Sequence, residues 1–593
     1  MMLIASKGST RCCIMMSHPA HETVKLAADE LQKWIYQVSG ASIPVLTELT
    51  PWEGPRILVG DSRPLQDMGI ALADYELGEE GFLLSCRGDT LIVAGAAPRG
   101  TLYGAYAFLE EHAGVRWFSS DVTRVPALPV LEITEFEDVQ RPAFESREAY
   151  WRDAFDGNFA VRNRMNSNKA DISVRQGGRM KFYNFHHSFD ELLPPQAYFA
   201  EHPEYYSLVD GKRLGERTQL CLTNPDVLRL VIEKVEEWIA ENPDCRVFSV
   251  AQNDWYNYCT CPRCAALDEA EGSPAGTMIS FVNQVAEAIE VNHPHVLIHT
   301  FAYQYTRKPP RTIRPRHNVI VRLCSIECCF AHPLDGSCRE TLDPAANSAS
   351  RAQCALREQP RFLQDLKAWA QITPRLYVWD YTTDFSHYLM PFPNLSALAS
   401  NLRLFRDIGV AGVLEQGNFS HGGGGNLAEL YAYLQAKLLW NPDCDLEYHL
   451  NDFLEGYYGA RAAAVRTYIE RWQQAIGPWH MTINERPDAP FITDELLAES
   501  DRLLCDALWI EKDPEIRQHI EKLQLGITYL ILTRMPLETP GRDILIDRFG
   551  WQCRRYGITE LHERVSLEQG LMFMKKSRYA VSLEGRLRVD YKM

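Results

Sequence analysis

Hydrophobic and polar positions change rhythm along the chain, and the rhythm divides it into three stretches. Up to about residue 135, short apolar runs such as Cys12-Cys13-Ile14-Met15-Met16 and Arg56-Ile57-Leu58-Val59-Gly60 predict strands. Between them, Val24, Leu26, Ala27, Leu31 and Trp34 recur near helical spacing and predict a helix over His21 to Val38. The runs Gly81–Cys86 and Thr90–Gly95 flank Arg87-Gly88-Asp89 and predict a hairpin. Arg99–Glu110 opens a helix. Its Gly100 and Gly104 lack the spacing of a dinucleotide fingerprint and read as close packing of that helix on a sheet.

After a Pro-containing link from Val125 to Pro142, β-rich runs alternate with helical patterns, the pattern of a parallel sheet. Eight strands are expected: Glu145–Tyr150, Lys181–His186, Gln219–Leu222, Arg246–Ala251, Leu297–Ala302, Asn318–Leu323, Arg375–Asp380 and Ala411–Glu415. The helices between them are Asp226–Ala240, Gly276–Val291, Pro360–Ile372 and Leu395–Ile408, with Thr223/Asn224 before Pro225 as a helix start. Beyond Trp440-Asn441-Pro442 the spacing is helical throughout: Tyr448–Tyr458, Ala460–Ile476, Asp494–Lys512 and Pro514–Met535. The fold expected is α/β, a (β/α)8 TIM-type barrel over 143–442. It is preceded by an α/β domain over 1–135 and followed by a helical domain over 443–593.

Bulk properties narrow the partners. The chain has 593 residues, enough for several domains, and 61 basic against 78 acidic residues leave a net charge of −17. That balance argues against nucleic acid and anionic membranes. No stretch of about 18 apolar residues predicts a membrane span, and the N-terminus has no signal-like apolar run. Adjacent pairs such as Cys12-Cys13 and Cys328-Cys329 fit no orderly disulfide framework, so free thiols in a cytoplasmic protein are expected. A homo-oligomer is compatible with the sequence.

In a barrel, chemistry sits where strands end. These ends deliver Asn184, His186 and His187; Asn253, Asp254 and Trp255; Tyr303 and Tyr305; Arg322, Ser325 and Glu327; Trp379, Asp380, Tyr381 and Asp384; and Glu415, Gln416 and Asn418. Carboxylates, aromatics and amides are the equipment of glycosidic bond cleavage: paired acids for proton transfer and charge stabilisation, rings for stacking on sugars. Asp254, Glu327 and Glu415 are the candidate catalytic acids. Asn253, Trp255, His186, His187, Tyr303, Arg322, Trp379 and Asp380 are candidates for binding an oligosaccharide or glycan. Asn253 beside Asp254 suggests an amide that holds a 2-acetamido group while the neighbouring acid donates a proton, so that the substrate assists its own cleavage. Each such acid has a structural alternative, as a helix cap or the partner of an Arg. Cys259-x-Cys261-x-x-Cys264 has the density of a metal site but no visible fourth ligand, so it reads as a loop of buried thiols or one local disulfide. No metal or other cofactor is expected.

The segments around Gln252-Asn253-Asp254, Cys259-x-Cys261-Pro262-x-Cys264, Gly272-Ser273-Pro274-Ala275-Gly276-Thr277, Phe301–Pro310, Asn318–Glu327, Trp379–Thr383 and Glu415-Gln416-Gly417 resemble domain-of-unknown-function family 4838, whose members are placed in glycoside hydrolase family 163. Gly100–Tyr106 and Gly114–Phe118 make the N-terminal stretch similar to the domain preceding the barrel in α-glucuronidases and hexosaminidases. The resemblance implies a barrel glycosidase and, through the family's characterised activity, retaining cleavage of β-linked N-acetylglucosamine in N-glycans. A glycosidase for another sugar such as a uronic acid, with Arg322 or a His on its carboxylate, and a non-catalytic sugar-binding barrel are the alternatives.

Overall fold

A computed structural model describes residues 1–338, 350–477 and 479–576, without the side chains of 350–359. Residues 577–593 of the expected helical domain lie outside the described residues. The chain divides into two compact units, Met1–Arg179 with Leu427–Thr467 and Leu504–Glu521, and Met180–Asn426 with Tyr468–Leu503 and the chain from Lys522 onward. The C-terminal helices are distributed over the two units. No helix among the described residues is long and apolar enough to cross a membrane.

The first unit is built on a six-stranded sheet in the order Phe136–Gln140, Phe82–Arg87, Thr90–Gly95, Arg56–Val59, Cys13–Met16, Val45–Thr47. The hairpin forms where the pattern places it, with Arg87 opposite Thr90 and Gly88 at φ 57° in the turn. The helix Glu22–Ser39 is capped by the His21 ring on the Thr23 N–H and ends at Gly40 in the left-handed region. Gly100 and Gly104 are packing residues. A Cβ on Gly100 would lie 2.3 Å from the Gly81 carbonyl oxygen, and one on Gly104 would lie 3.3 Å from the Phe82 side chain.

The second unit contributes six strands to a curled parallel sheet: β1 (Phe182–Tyr183), β2 (Val247–Ser249), β3 (Leu297–Ala302), β4 (Val319–Cys324), β5 (Leu376–Tyr381) and β6 (Gly412–Gln416), paired in that order reversed or forward along the sheet. All five pairings are parallel. β2, β3, β4 and β6 are buried throughout, as a sheet covered on both faces requires. The helices are α1 (Pro225–Glu241), α2 (Pro262–Glu271), α3 (Ala275–Asn292), α4 (Ser350–Ile372) and α5 (Leu395–Ile408). Helix α4 begins ten residues before Pro360, which lies inside it.

The expected strand Gln219–Leu222 does not form, and only an isolated bridge joins Leu220 to Tyr206. Its residues have other commitments. Gln219 bonds the backbone of Asn253 and Trp255, and Asn224 caps α1 by accepting the Asp226 N–H at 2.9 Å. Among the described residues the sheet is a curled parallel half-barrel, compatible with the TIM-type barrel that the pattern predicts. Two C-terminal helices outside the expectation, Arg542–Arg555 and Leu567–Lys576, flank a small hairpin of Glu560–His562 and Val565–Ser566. Leu525, Tyr529, Ile546, Phe549, Leu561 and Leu571 bury together with Leu389 of the β5–α5 loop, which seats this tail on the half-barrel.

Candidate active site at the mouth of the half-barrel

Alternation along parallel strands decides which tip residues share a face. Arg322 lies opposite Phe301 and Tyr377, and Cys324 opposite Trp379, so these side chains stand on one face of the sheet. They form the concave floor. The Arg322 guanidinium is buried below it, 5.3 to 5.9 Å from the rings of Phe182, Phe185, Tyr377 and Trp379. Phe185 stacks on Trp379, and Ala251, Phe301, Tyr303 and Cys324 pack beside it with half-buried Trp379.

Asp254 rises at the rim of this floor. The Trp255 N–H donates to the Asn253 carbonyl at 2.8 Å, which closes a tight turn with Asp254 at its apex. The Tyr303 hydroxyl donates to Asp254 at 2.9 Å. Burial, reinforced by the Asp254 charge, pushes that phenol well above its ordinary pKa, so it stays a donor. His187 bonds the Gln252 carbonyl through Nδ1 at 2.6 Å, which turns Nε2 toward Asp254 at 4.0 Å. The Asp254 side chain is 35% exposed, open to a ligand. Trp255 is half-buried under the Arg217 guanidinium, 5.4 Å from its ring.

Glu327 follows β4 and pairs with Arg307 at 3.3 Å, while Arg307 also holds Asp365 at 3.0 Å. Glu327 lies three residues past Cys324, the last residue of β4, which stands on the floor opposite Trp379. The sequence pattern misses a further acid, on the backbone of Phe385, whose ring packs on Tyr381 at 5.8 Å. Glu563 sits at the tip of the C-terminal hairpin, its N–H bonded to the Phe385 carbonyl at 2.8 Å. Burial raises its pKa, Arg564 opposes the rise, and the Asp254 charge adds to it. Its 309-residue separation from Asp254 (563 minus 254) leaves no local signal in the sequence.

Several expected site residues have other positions. Asn253 is buried and its carboxamide is committed. Nδ2 donates to Asp190 and to the Thr218 carbonyl at 2.8 and 2.9 Å, and Oδ1 accepts the Asp190 N–H at 3.2 Å. It positions the Asp254 turn and has no amide hydrogen left for a sugar. Asp380 and Glu415 lie opposite each other in register, one residue out of phase with Trp379. They therefore share the helix-facing side, where Asp380 accepts from Ser325 at 2.5 Å and from Asn401 of α5 at 3.4 Å. Burial pushes Asp380 up to about 6, against the pull of its hydrogen bonds. Glu415 is raised well above the ordinary carboxyl range by burial and then by Asp380, and neither of its oxygens has a hydrogen-bond partner. His186 is exposed beside Phe185. Gln416, on the floor side, accepts from the Trp379 indole at 2.5 Å.

A cavity of about 610 Å³ lies elsewhere, within the first unit, lined by Glu110, Arg116, Arg164, Lys437, Trp440 and His449 among others. Its charges are occupied with one another. Arg164 and Lys437 both pair with Glu110, and they outweigh burial to hold its pKa down at about 2. That makes it a structural ion-pair network, and the mouth is the better candidate for chemistry.

A parallel half-barrel with acids at its mouth beside an aromatic floor is an arrangement suited to sugar chemistry. The chain belongs to the family described as Domain of unknown function (DUF4838), whose model matches residues 117–470. Residues 7–108 match the model described as Glycosyl hydrolase family 67 N-terminus. No curated protein sequence matches the chain. Among solved structures, "A novel family GH115 4-O-Methyl-alpha-glucuronidase, BtGH115A, with specificity for decorated arabinogalactans" is similar in fold. It has a TM-score of 0.59 at 12% identity, over 97% of this chain and 78% of that one. A "GH138 enzyme targeting pectin rhamnogalacturonan II" matches at TM-score 0.42 and 10% identity, over 98% and 80%. "Structure of CpGH84D" matches at 0.44 and 12%, over 97% and 96%.

Proposed function

We propose that the protein is a glycoside hydrolase acting on glycans that contain β-linked N-acetylglucosamine. The observation that carries this reading is Asp254 at the rim of the aromatic floor, held by the Tyr303 hydroxyl at 2.9 Å, with Glu327 following β4 and Glu563 bonded to Phe385, whose ring packs on Tyr381. Glycosidic cleavage needs one carboxyl that holds a proton and another that bears charge. Glu563, raised by burial and by Asp254, is the proton donor to the leaving oxygen. Asp254, aimed by Tyr303 and the Asn253 turn, is the carboxylate at the anomeric carbon. Glu327, held by Arg307, is the second charged wall of the site. The N-acetylglucosamine preference is supported by the resemblance to glycoside hydrolase family 163. With Asn253 committed to the protein's own groups, an acetamido group would meet Asp254 and Tyr303 instead.

The uronic acid reading has the described α-glucuronidase as fold neighbour, at an identity that speaks for the fold alone. It needs a cation facing the sugar, and Arg322 lies 1% exposed beneath the floor. A panel of aryl glycosides and chitobiose-core glycans separates the readings. Release from β-N-acetylglucosaminides or from the chitobiose core is expected. Turnover confined to glucuronides would replace the substrate, and no turnover of any glycoside would leave a sugar-binding half-barrel.

A further inference from the structure

The cysteine loop beside Asp254 has a fourth member that sequence spacing hides. Cys221, from the failed strand before α1, meets Cys259, Cys261 and Cys264. All four are buried, and their sulfurs lie within 4.8 Å of one another. Cys221 Sγ is 3.7 Å from Cys261 Sγ and 4.0 Å from Cys264 Sγ. Four thiolates at Zn–S distances of about 2.3 Å on a tetrahedron stand about 3.8 Å apart. Donors already face the sulfurs: the Leu208 N–H at 3.4 Å and Arg213 Nη1 at 3.7 Å from Cys259, and Thr223 Oγ1 at 3.2 Å from Cys264. Cys261 caps α2 and Cys264 lies in its first turn, where the helix dipole favours negative sulfur. The four cysteines, with half-buried Leu208 against them, make up the core of this loop region.

A second cluster repeats the arrangement after β4. Cys329, His332, Cys338 and His480 bring one ligand atom each within 4.8 Å of the others. His332 Nδ1 is 3.4 Å from Cys329 Sγ and 3.5 Å from Cys338 Sγ, and His480 Nδ1 is 3.4 Å from Cys338 Sγ. Edges of about 3.5 Å are what Zn–S and Zn–N bonds of about 2.3 and 2.05 Å produce. His332 Nε2 donates to the Gly477 carbonyl at 2.9 Å, the outer contact that leaves Nδ1 as the ligand atom.

We propose that the protein binds two structural zinc ions, one at Cys221/Cys259/Cys261/Cys264 and one at Cys329/His332/Cys338/His480. Both sets are complete at four protein ligands, which leaves no open position for substrate and makes the ions braces. Each brace is adjacent to one site acid. Cys259 lies five residues after Asp254, and Gln219, two residues before Cys221, bonds the Asp254 turn. Cys329 lies two residues after Glu327. This bracing role rests on the reading of Asp254 and Glu327 as site acids, whereas the zinc content does not.

The test is elemental analysis of the purified full chain after gel filtration. It is paired with colorimetric zinc release on thiol blocking by a mercurial and with thiol titration. About two zinc ions per chain are expected, falling to about one in Cys221→Ser and about one in His480→Ala. Wild-type release on thiol blocking answers the question even if a variant fails to fold. A zinc-free folded protein, a disulfide within either cluster, or iron in place of zinc would overturn the proposal. Two zinc ions in a protein that hydrolyses no glycoside would uphold the metal sites and refute the function.

Discussion

Asp254 and Glu563 have different surroundings. Asp254 stands at an exposed turn with a hydroxyl donor and a histidine nitrogen facing it. Glu563 is half-buried against that charge and is pushed toward its neutral form. A proton donor works only while protonated, so activity should fall as pH rises through the raised pKa of Glu563. Glu563→Gln should lower kcat by about 10²–10⁴ and remove that alkaline limb from the pH–rate profile. A Glu563→Gln enzyme with an unchanged profile would assign the proton to another group. Asp254 was legible in the sequence because an amide, a carboxylate and an indole stand together at one strand end. Glu563 was not, because folding alone brings a distant hairpin to the same place.

At the scale of the element, strand phase decides what a tip residue can reach. Glu415 stands at a strand end, as a catalytic acid would, but one residue out of phase with the floor residue Trp379. Position at a strand end carries no phase, so it makes Glu415 and Asp380 candidates alike. Register against β5 and the Asn401 contact put them behind the sheet. Glu415 has a raised pKa in the folded state, so the native form holds a proton that the unfolded chain has released. Stability therefore falls as pH climbs from the ordinary carboxyl range through the raised value. Glu415→Gln should raise Tm on the alkaline side, flatten its decline with pH, and leave kcat within a fewfold. A kcat loss of about 10³ or more would return Glu415 to the catalytic set. The strand expected over Gln219–Leu222 is absent for a related reason. Its residues serve the Asp254 turn and the cysteine cluster, which no period-2 pattern reveals.

For the whole molecule, the N-terminal sheet, the parallel order and most helices follow from hydrophobic rhythm, because each element buries one face or both. The division into units does not, since helices of the last third are shared between them. The metal clusters were half visible. Three cysteines are close in sequence, but Cys221 is 38 residues before Cys259 (259 minus 221) and His480 is 142 after Cys338. Catalysis at the mouth depends on Asp254. The most direct measurement compares kcat/KM of wild type and Asp254→Asn on a β-N-acetylglucosaminide glycan, with zinc content and Tm matched. If Asp254 does the chemistry, the wild type turns over and the variant loses about 10³-fold or more. Equal rates in the two proteins would contradict it.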